Sequence, residues 1–280
     1  MDTIFKLPIE EIIEKRKSVR TFLEKSLSDE DKKELQSYME TLENPFGVEV
    51  KFSFLETGDK KKSLGTYGVI KGTVDYIGAA VKKEPFALEA LGYEMEKLIL
   101  YAASKDIGTC WLGGTFKRED FKKAMDIQEG TLFPAITPVG YPKDAKSMTD
   151  NLVRFIAKGD LRKPWEDLFF KGDFNHPLTT EEAKEYKNAL EMVRLGPSAS
   201  NKQPWRVLWT NSAFHFYEAK NAGYSDSFSY DIQRIDLGIA LCHFHLTAME
   251  NNLSGKITVK PVPEIKVPEN HEYCFSWSAE

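Results

Sequence analysis

Three segments of the 280-residue chain combine residue types that could bind a phosphorylated or planar ligand. The first is RKSVR, in which Arg16, Ser18 and Arg20 would share one side of an extended chain because side chains alternate with a period of two. Two guanidinium groups flanking a hydroxyl group form an anion-binding strip, since Arg suits bidentate contact with phosphate. The alternative is an ordinary solvated helix end, where Lys and Arg also favour the helix dipole.

The second segment, GPSASNKQPW at positions 196–205, is a stiff loop rich in hydrogen-bonding groups and almost without charge. Such a loop suits the neutral polar edge of a ligand, for example an amide or an imide. Alternatively, it is a helix-to-strand turn whose side chains serve only themselves. Its candidate binding residues are Pro197, Ser198, Ser200, Asn201 and Gln203.

The third segment, GTCWLGGTF at positions 108–116, follows a long helical pattern. Gly113 and Gly114 would let a flat ligand approach the backbone and would offer it bare N–H donors. The alternative is a flexible loop. A further Gly-rich stretch at 57–73 is either a lid over a substrate pocket or a plain surface loop.

Other types of site are excluded by the sequence. It contains no P-loop motif, no G-x-G-x-x-G and no G-x-S-x-G. His243 and His245 are two positions apart on a predicted helix, so they point to different sides and make a poor metal chelate. We therefore expect no metal site and no catalytic side-chain nucleophile.

Composition and charge favour a soluble globular protein. The chain is 41% hydrophobic and 29% charged, and its net charge of −5 argues against nucleic acid or an anionic membrane as partner. The longest apolar run, 98–103, is far shorter than a membrane span, and the N-terminal residues lack the apolar region of a secretory signal. Three widely spaced cysteines predict reduced thiols. We expect a cytoplasmic location.

Apolar periodicity predicts the elements that position the three segments. Helices are expected over 9–17, from a cap at Ser28 to Leu42, from Leu88 to Ala103, over 117–126, from a cap at Thr180 to Leu195, and from Ile235 to Leu253. Strands are expected over 48–56, 74–81, 132–142, 205–209, 214–217 and 273–277. The chain from about 143 to 165 is a predicted connector.

The order of these elements repeats. Positions 28–45 and 180–197 superimpose at an offset of 152, and positions 92–107 and 238–253 superimpose at an offset of 146. Two similar offsets would result from a duplication with one small change in length. Because few residues are identical, coincidence between two α/β stretches is the alternative. The predicted halves are 1–150 and 151–280.

In combination, these motifs resemble the FMN-dependent nitroreductase superfamily. Its series of R-x-S-x-R, P-S-x-x-N-x-Q-P-W, A-A-x-x-x-G-x-G-T and G-Y-P with a later basic residue reads here as RKSVR, PSASNKQPW, AASKDIGTCWLGG, and VGYP followed by DLRKPW. The resemblance implies an α+β nitroreductase-like fold, with a mainly antiparallel sheet flanked by helices. It covers nearly the whole chain, and the serine–asparagine loop is its most specific part.

One departure from the family pattern concerns the order of the motifs. In ordinary members the serine–asparagine loop follows the first helices closely, whereas here it lies about 180 residues after R-x-S-x-R. The first half has NPFGVEVKF at the equivalent position, and the second half lacks R-x-S-x-R. The resemblance therefore implies a fused, single-chain pseudo-dimer with one shared FMN, which is a monomer or a weak homodimer.

The resemblance also implies roles for individual residues. Arg16 and Ser18 would hold the phosphate and the ribityl chain, Arg20 would lie near the flavin pyrimidine, and the N–H of Gly113 or Gly114 would face flavin N5. Arg162, with Lys163, would complete the phosphate site from the connector. The loop of the other half would line the cofactor through Pro197, Ser198, Ser200 and Asn201, while Gln203 orders that loop.

The implied activity is an FMN-dependent NAD(P)H oxidoreductase. A hydride would pass through flavin N5 to a nitroaromatic compound, a quinone or a similar small acceptor, with ping-pong kinetics and no catalytic side chain. Two alternatives remain open. The chain could bind flavin without turnover, as a sensor or carrier, or it could catalyse a different flavin reaction such as flavin fragmentation or ring oxidation.

Overall fold

Each of two units, Met1–Gly159 and Asp160–Glu280, contains one β-sheet and one long buried helix in the computed structural model. The structure describes residues 5–57, 64–72, 74–143, 161–210, 213–259 and 264–280. Most of the predicted connector, at 144–160, lies outside these residues, as does the predicted boundary between 150 and 151.

The first unit contains a four-stranded antiparallel sheet in the order β1-β2-β4-β3. Ser28 caps the second helix, because its Oγ accepts a hydrogen bond of 3.1 Å from the N–H of Asp31. The elements are α1 (Ile9–Lys15), α2 (Asp29–Met39), β1 (Val50–Leu55), β2 (Asp75–Lys82), α3 (Ala87–Ser104), β3 (Gly108–Thr109), α4 (Arg118–Ala124) and β4 (Thr131–Gly140).

The second unit contains a six-stranded sheet in the order β6-β5-β7-β8-β10-β9. Its strands pair antiparallel except for β5 and β7, which are parallel. The elements are β5 (Phe169–Lys171), β6 (Asp173–Pro177), α5 (Lys187–Leu195), β7 (Trp205–Thr210), β8 (Ala213–Ala219), α6 (Gln233–Glu250), β9 (Gly255–Thr258) and β10 (His271–Ala279), with short 3-10 helices at Trp165–Asp167, Lys184–Tyr186 and Ala199–Asn201.

The topology of the first unit recurs in the second. The order β7-β8-β10-β9 matches β1-β2-β4-β3, and in each unit the long helix connects the second strand of this order to the fourth. Helices α3 and α6 both have 18 residues, and both of their ends coincide at an offset of 146. This is the offset that the sequence predicts for 92–107 and 238–253.

The structure corrects one predicted helix. Thr179, not Thr180, forms the capping box, since its Oγ1 accepts a hydrogen bond from the N–H of Glu182 at 3.2 Å. The chain does not continue into a helix from there, because Lys184 adopts a left-handed conformation with a φ of 49°. Helix α5 begins only at Lys187. The short strands β5, β6 and β9 were not predicted, because three to five residues carry too little periodicity.

No helix among the described residues is long and apolar enough to cross a membrane.

Candidate functional site

The RKSVR segment is extended in the first unit. Helix α1 ends at Arg16, which has a φ of −59° and a ψ of 125°. The N–H of Val19 then donates a hydrogen bond of 2.8 Å to the carbonyl oxygen of Thr109, and Ser18 forms a parallel bridge with the same residue. Val19 is buried, whereas Ser18 and Arg20 are half-buried. The chain therefore alternates as predicted, instead of forming a solvated helix end.

A single buried carboxylate contacts both candidate segments of the first unit. Glu96 lies on α3 and is fully buried. Its Oε1 is 3.7 Å from Nε of Arg16, and its Oε2 accepts a hydrogen bond of 2.7 Å from the indole N–H of Trp111. Arg16 belongs to RKSVR and Trp111 to the glycine segment. Glu96 therefore connects the two segments through side chains, in addition to the bridge between Ser18 and β3.

The glycine turn is held by Arg118 of α4. Nη2 of Arg118 donates a hydrogen bond of 2.7 Å to the carbonyl oxygen of Gly113, and its Nε donates one of 2.9 Å to the carbonyl oxygen of Phe133. The amide N–H groups of Gly113 and Gly114, in contrast, donate to no acceptor within the described parts of the chain. They remain open to a ligand.

Donors without acceptors also occur in RKSVR. Nη1 of Arg20 is buried and has no hydrogen-bond partner in the part of the chain that the structure describes, and the same is true of Nε of Arg16 beside Glu96. Buried polar groups of native proteins are almost always hydrogen-bonded, to protein, water or a ligand. An additional acceptor at either donor would therefore be favourable.

The described part of the 57–73 stretch joins the same two segments. The N–H of Lys71 donates to the carbonyl oxygen of Arg20 at 2.9 Å, and the N–H of Lys117 donates to the carbonyl oxygen of Gly65 at 2.9 Å. Positions 58–63 and 73 lie outside the described residues. The remainder is therefore hydrogen-bonded to RKSVR near one end and, near the other, to the residue that follows the glycine segment.

The serine–asparagine loop of the second unit has an unusual backbone. Ser200, Asn201 and Gln203 all have positive φ, between 48° and 53°, which non-glycine residues rarely adopt. Ser198 stabilises this turn with two acceptors. Its Oγ accepts a hydrogen bond of 2.8 Å from the N–H of Gln203, and its carbonyl oxygen accepts one of 2.9 Å from the N–H of Asn201. Pro197, at the start of the loop, is half-buried.

Arg162 and Lys163 lie against this loop. Asn201 donates its side-chain N–H to the carbonyl oxygen of Leu161 at 2.7 Å, and the N–H of Lys163 donates to Oε1 of Gln203 at 2.8 Å. The guanidinium of Arg162 donates to Oδ1 of Asn201 at 3.4 Å and to the carbonyl oxygen of Leu195 at 3.1 Å. The sequence could not determine the register of this segment, which these contacts define.

A second cation accompanies Lys163. Arg206 donates through Nη1 to the carbonyl oxygen of Gln203 at 3.1 Å. Burial lowers the pKa of Lys163, and the positive charge of Arg206 lowers it further. Burial also lowers the pKa of Arg206. Two partly desolvated cations on either side of Gln203 favour a bound anion.

Comparison with known proteins identifies the family. The family model described as "Putative TM nitroreductase" matches residues 8–248. The chain belongs to this nitroreductase family. A comparison with curated proteins found no match to this chain.

One solved structure confirms the nitroreductase-like α+β fold. A protein from Thermotoga maritima described as a "putative nitroreductase" has 22% sequence identity and a TM-score of 0.64, covering 97% of this chain and 94% of its own. A nitroreductase family protein from Clostridium novyi has 22% identity and a TM-score of 0.43, with coverages of 52% and 91%. A nitroreductase with bound FMN from Desulfitobacterium hafniense has 16% identity and a TM-score of 0.42, with coverages of 50% and 92%.

Within this family member, sequence reasoning misses three charged residues near the candidate segments: Glu96, Arg206 and Asp236. Each lies in a mainly apolar helix or strand. A signal for the two acids exists in the repeat, because at an offset of 146 Glu96 corresponds to Cys242 and Asp236 to Ala90. In both pairs a carboxylate is buried where the other helix has a small side chain. The described residues contain no His/Cys/Asp/Glu group that could hold a metal ion.

Proposed function

We propose that this nitroreductase family member binds FMN and transfers electrons from NAD(P)H to a small acceptor such as a nitroaromatic compound or a quinone. The observation that carries the proposal is Nη1 of Arg20, which is buried with no hydrogen-bond partner among the described residues. Burying such a donor without an acceptor costs free energy, which a ligand oxygen would recover. The pyrimidine edge of FMN offers that oxygen.

The other candidate residues fit the remaining parts of FMN. The donors of Arg16 and the hydroxyl of Ser18 suit the phosphate and the ribityl chain, and the open N–H groups of Gly113 and Gly114 suit N5 of the ring. We propose one FMN per chain. The residues proposed to contribute from the second half are Arg162, Lys163, Pro197, Ser198, Ser200 and Asn201, with Gln203 ordering the loop.

Bound FMN would supply hydride-transfer chemistry between NAD(P)H and the acceptor, with the two substrates binding in turn. Arg20 would bind the edge of the ring that gains negative charge. A hydrogen bond to a charged group is worth about 1.5–3 kcal/mol. For a two-electron couple this equals about 30–60 mV in potential. Arg20 would therefore tune the reduction potential.

The absorbance of the purified protein tests the proposal. We expect a yellow protein that releases FMN on denaturation and oxidises NAD(P)H when a quinone or nitroaromatic acceptor is added. Initial rates measured against both substrates should give the parallel lines of ping-pong kinetics. A colourless protein that does not bind added FMN would contradict the proposal. FMN binding without NAD(P)H oxidation in an acceptor screen would instead support the sensor or carrier function.

A further inference from the structure

Asp236 holds the start of the serine–asparagine loop. It lies on α6, is only 2% exposed, and its Oδ1 accepts a hydrogen bond of 3.0 Å from the backbone N–H of Ala199. Ala199 is the first residue of the 3-10 turn in this loop. The carboxyl group therefore anchors the loop backbone to the long helix, at a distance of 37 residues along the chain.

Tyr224 provides a second support on the next residue. Its hydroxyl donates a hydrogen bond of 2.9 Å to Oγ of Ser200. Ser200 and Asn201 both have positive φ. A non-glycine residue in this region carries backbone strain, which persists only where surrounding contacts fix the conformation. Asp236 supplies such a contact at Ala199, directly before the first strained residue. Tyr224 supplies one at Ser200, which is that residue.

A buried carboxyl group at this position lowers the stability of the folded state. Oδ2 of Asp236 is buried without a hydrogen-bond partner among the described residues. Burial raises its pKa well above the usual range, and the nearby acidic side chains of Glu218 and Asp231 raise it further. An apolar residue here would avoid both costs.

The first unit shows the same helix position without the acid. At the offset of 146 that aligns α3 with α6, Asp236 corresponds to Ala90, which is fully buried. The first half also lacks the serine–asparagine loop and has NPFG in its place. The helix thus forms with alanine at this position, and the acid occurs in the half that has the loop.

We propose that Asp236 is a positioning residue that holds the serine–asparagine loop in its binding conformation before FMN arrives, with Tyr224 as a second support through Ser200. This inference rests on the proposed FMN function. Neither side chain needs to touch the cofactor, because each acts on the loop backbone or on a loop hydroxyl.

The test compares Asp236→Ala, which introduces the residue of the first half, with Asp236→Asn. Asparagine keeps a carbonyl oxygen that can accept from Ala199, so its FMN dissociation constant should stay within about threefold of the wild-type value. Asp236→Ala should weaken FMN binding about tenfold or more, while urea unfolding shows that the protein remains folded. FMN affinity is measured by quenching of flavin fluorescence on the apoprotein.

Tyr224→Phe tests the second support, with Tyr230→Phe as the matched control on the same connecting segment. We expect Tyr224→Phe to weaken FMN binding about threefold, and the control to change it less. When Ser200→Ala is already present, Tyr224→Phe should cause little additional loss of FMN affinity, because both substitutions remove the same hydrogen bond.

Hydrogen exchange separates this inference from the proposed function. In the apoprotein, Asp236→Ala should accelerate exchange of the amides in 196–204, and Asp236→Asn should restore protection. If exchange does not change, or if Asp236→Ala binds FMN as tightly as the wild type, the positioning role is wrong. If the wild type binds no FMN but the exchange result holds, the function proposal fails and the positioning of the loop stands.

Discussion

The backbone N–H of Lys163 donates a hydrogen bond of 2.8 Å to the side-chain oxygen of Gln203, 40 residues away. The side-chain nitrogen of Gln203 also faces the carbonyl oxygen of Leu161 at 3.3 Å. Gln203 is 3% exposed, so both contacts are shielded from water. This one amide therefore fixes the approach of Arg162 and Lys163 to the serine–asparagine loop.

Replacing Gln203 with leucine should affect both folding and FMN binding. The change leaves the N–H of Lys163 without its acceptor, at a cost of about 1–3 kcal/mol in the free energy of unfolding. We expect FMN affinity to fall about tenfold, because the loop and the cation segment lose their common partner. Urea unfolding and FMN titration measure the two effects. The control is Gln128→Leu on the surface of the first unit. Equal FMN affinity in both variants would contradict the role of Gln203.

Substitution of Arg20 should separate binding from stability. Arg20→Met removes a buried donor that has no hydrogen-bond partner among the described residues, so the apoprotein should be at least as stable as the wild type. FMN binding should weaken by about 10- to 100-fold, which corresponds to the loss of one charge-assisted hydrogen bond. Lys17→Met removes the same charge from an exposed neighbour and should leave FMN affinity nearly unchanged. Similar losses in the two variants would indicate a general charge effect.

Gly72 is expected to be intolerant of a side chain. Its φ is +100°, and a Cβ atom would overlap the carbonyl oxygen of Phe22. Gly72→Ala should therefore destabilise the protein by more than the roughly 1–3 kcal/mol of backbone strain alone. Gly130→Ala is the matched control, because its φ of +80° imposes similar strain while a Cβ atom there would have no neighbour within 4 Å. Denaturant unfolding of both variants gives the difference. Equal losses would show that Phe22 can move aside.

Glu94 should make stability depend on pH. Burial raises its pKa to about 7, although a hydrogen bond from Asn44 opposes the shift. Between about pH 4.5 and 7 the native state binds a proton that the unfolded state has lost, so the free energy of unfolding falls as pH rises through this window.

Glu94→Gln should reduce this slope, to which the raised pKa of Asp236 also contributes, and should raise stability at pH 8 by at most about 3.5 kcal/mol, at roughly 1.4 kcal/mol for each pKa unit. Urea unfolding at pH 4.5, 6 and 8 measures it. Glu119→Gln, at an exposed position of α4, should keep the wild-type slope. A wild-type slope that persists in Glu94→Gln would assign the pH dependence to another group.

The sequence predicts the long helices and the main strands because their apolar patterns are long. Helix α3 shows this, since its apolar residues recur every three or four positions. The helix from Thr180 was predicted too early, because no local pattern reveals the left-handed Lys184. The roles of Glu96 and Asp236 were not predictable from single positions. Each acts on a partner at least 15 residues away, so its meaning depends on tertiary contacts.

In the candidate site, too, local features were predictable from the sequence and tertiary contacts were not. The residue types of RKSVR and of the serine–asparagine loop are sufficient to suggest a ligand. That Arg16, Ser18 and Arg20 share one side follows only if RKSVR is extended, and the extended form itself required the structure. The contacts of Arg162 and Lys163 required the structure, because they connect 161–163 with a loop about 40 residues later. Arg206 was missed because a lone arginine in a predicted strand does not by itself indicate a binding site. Its contact with Gln203 is visible only in the structure.

The equal length of α3 and α6 has a consequence for how this protein can evolve. In an assembly of identical subunits, one mutation changes every copy of a helix, so a costly buried acid must be present in all of them. Here the two helices are encoded separately. Glu96 and Asp236 each occur in one helix only. At the offset of 146, their equivalents in the other helix are Cys242 and Ala90. Each helix can therefore gain or lose a buried acid without changing the other.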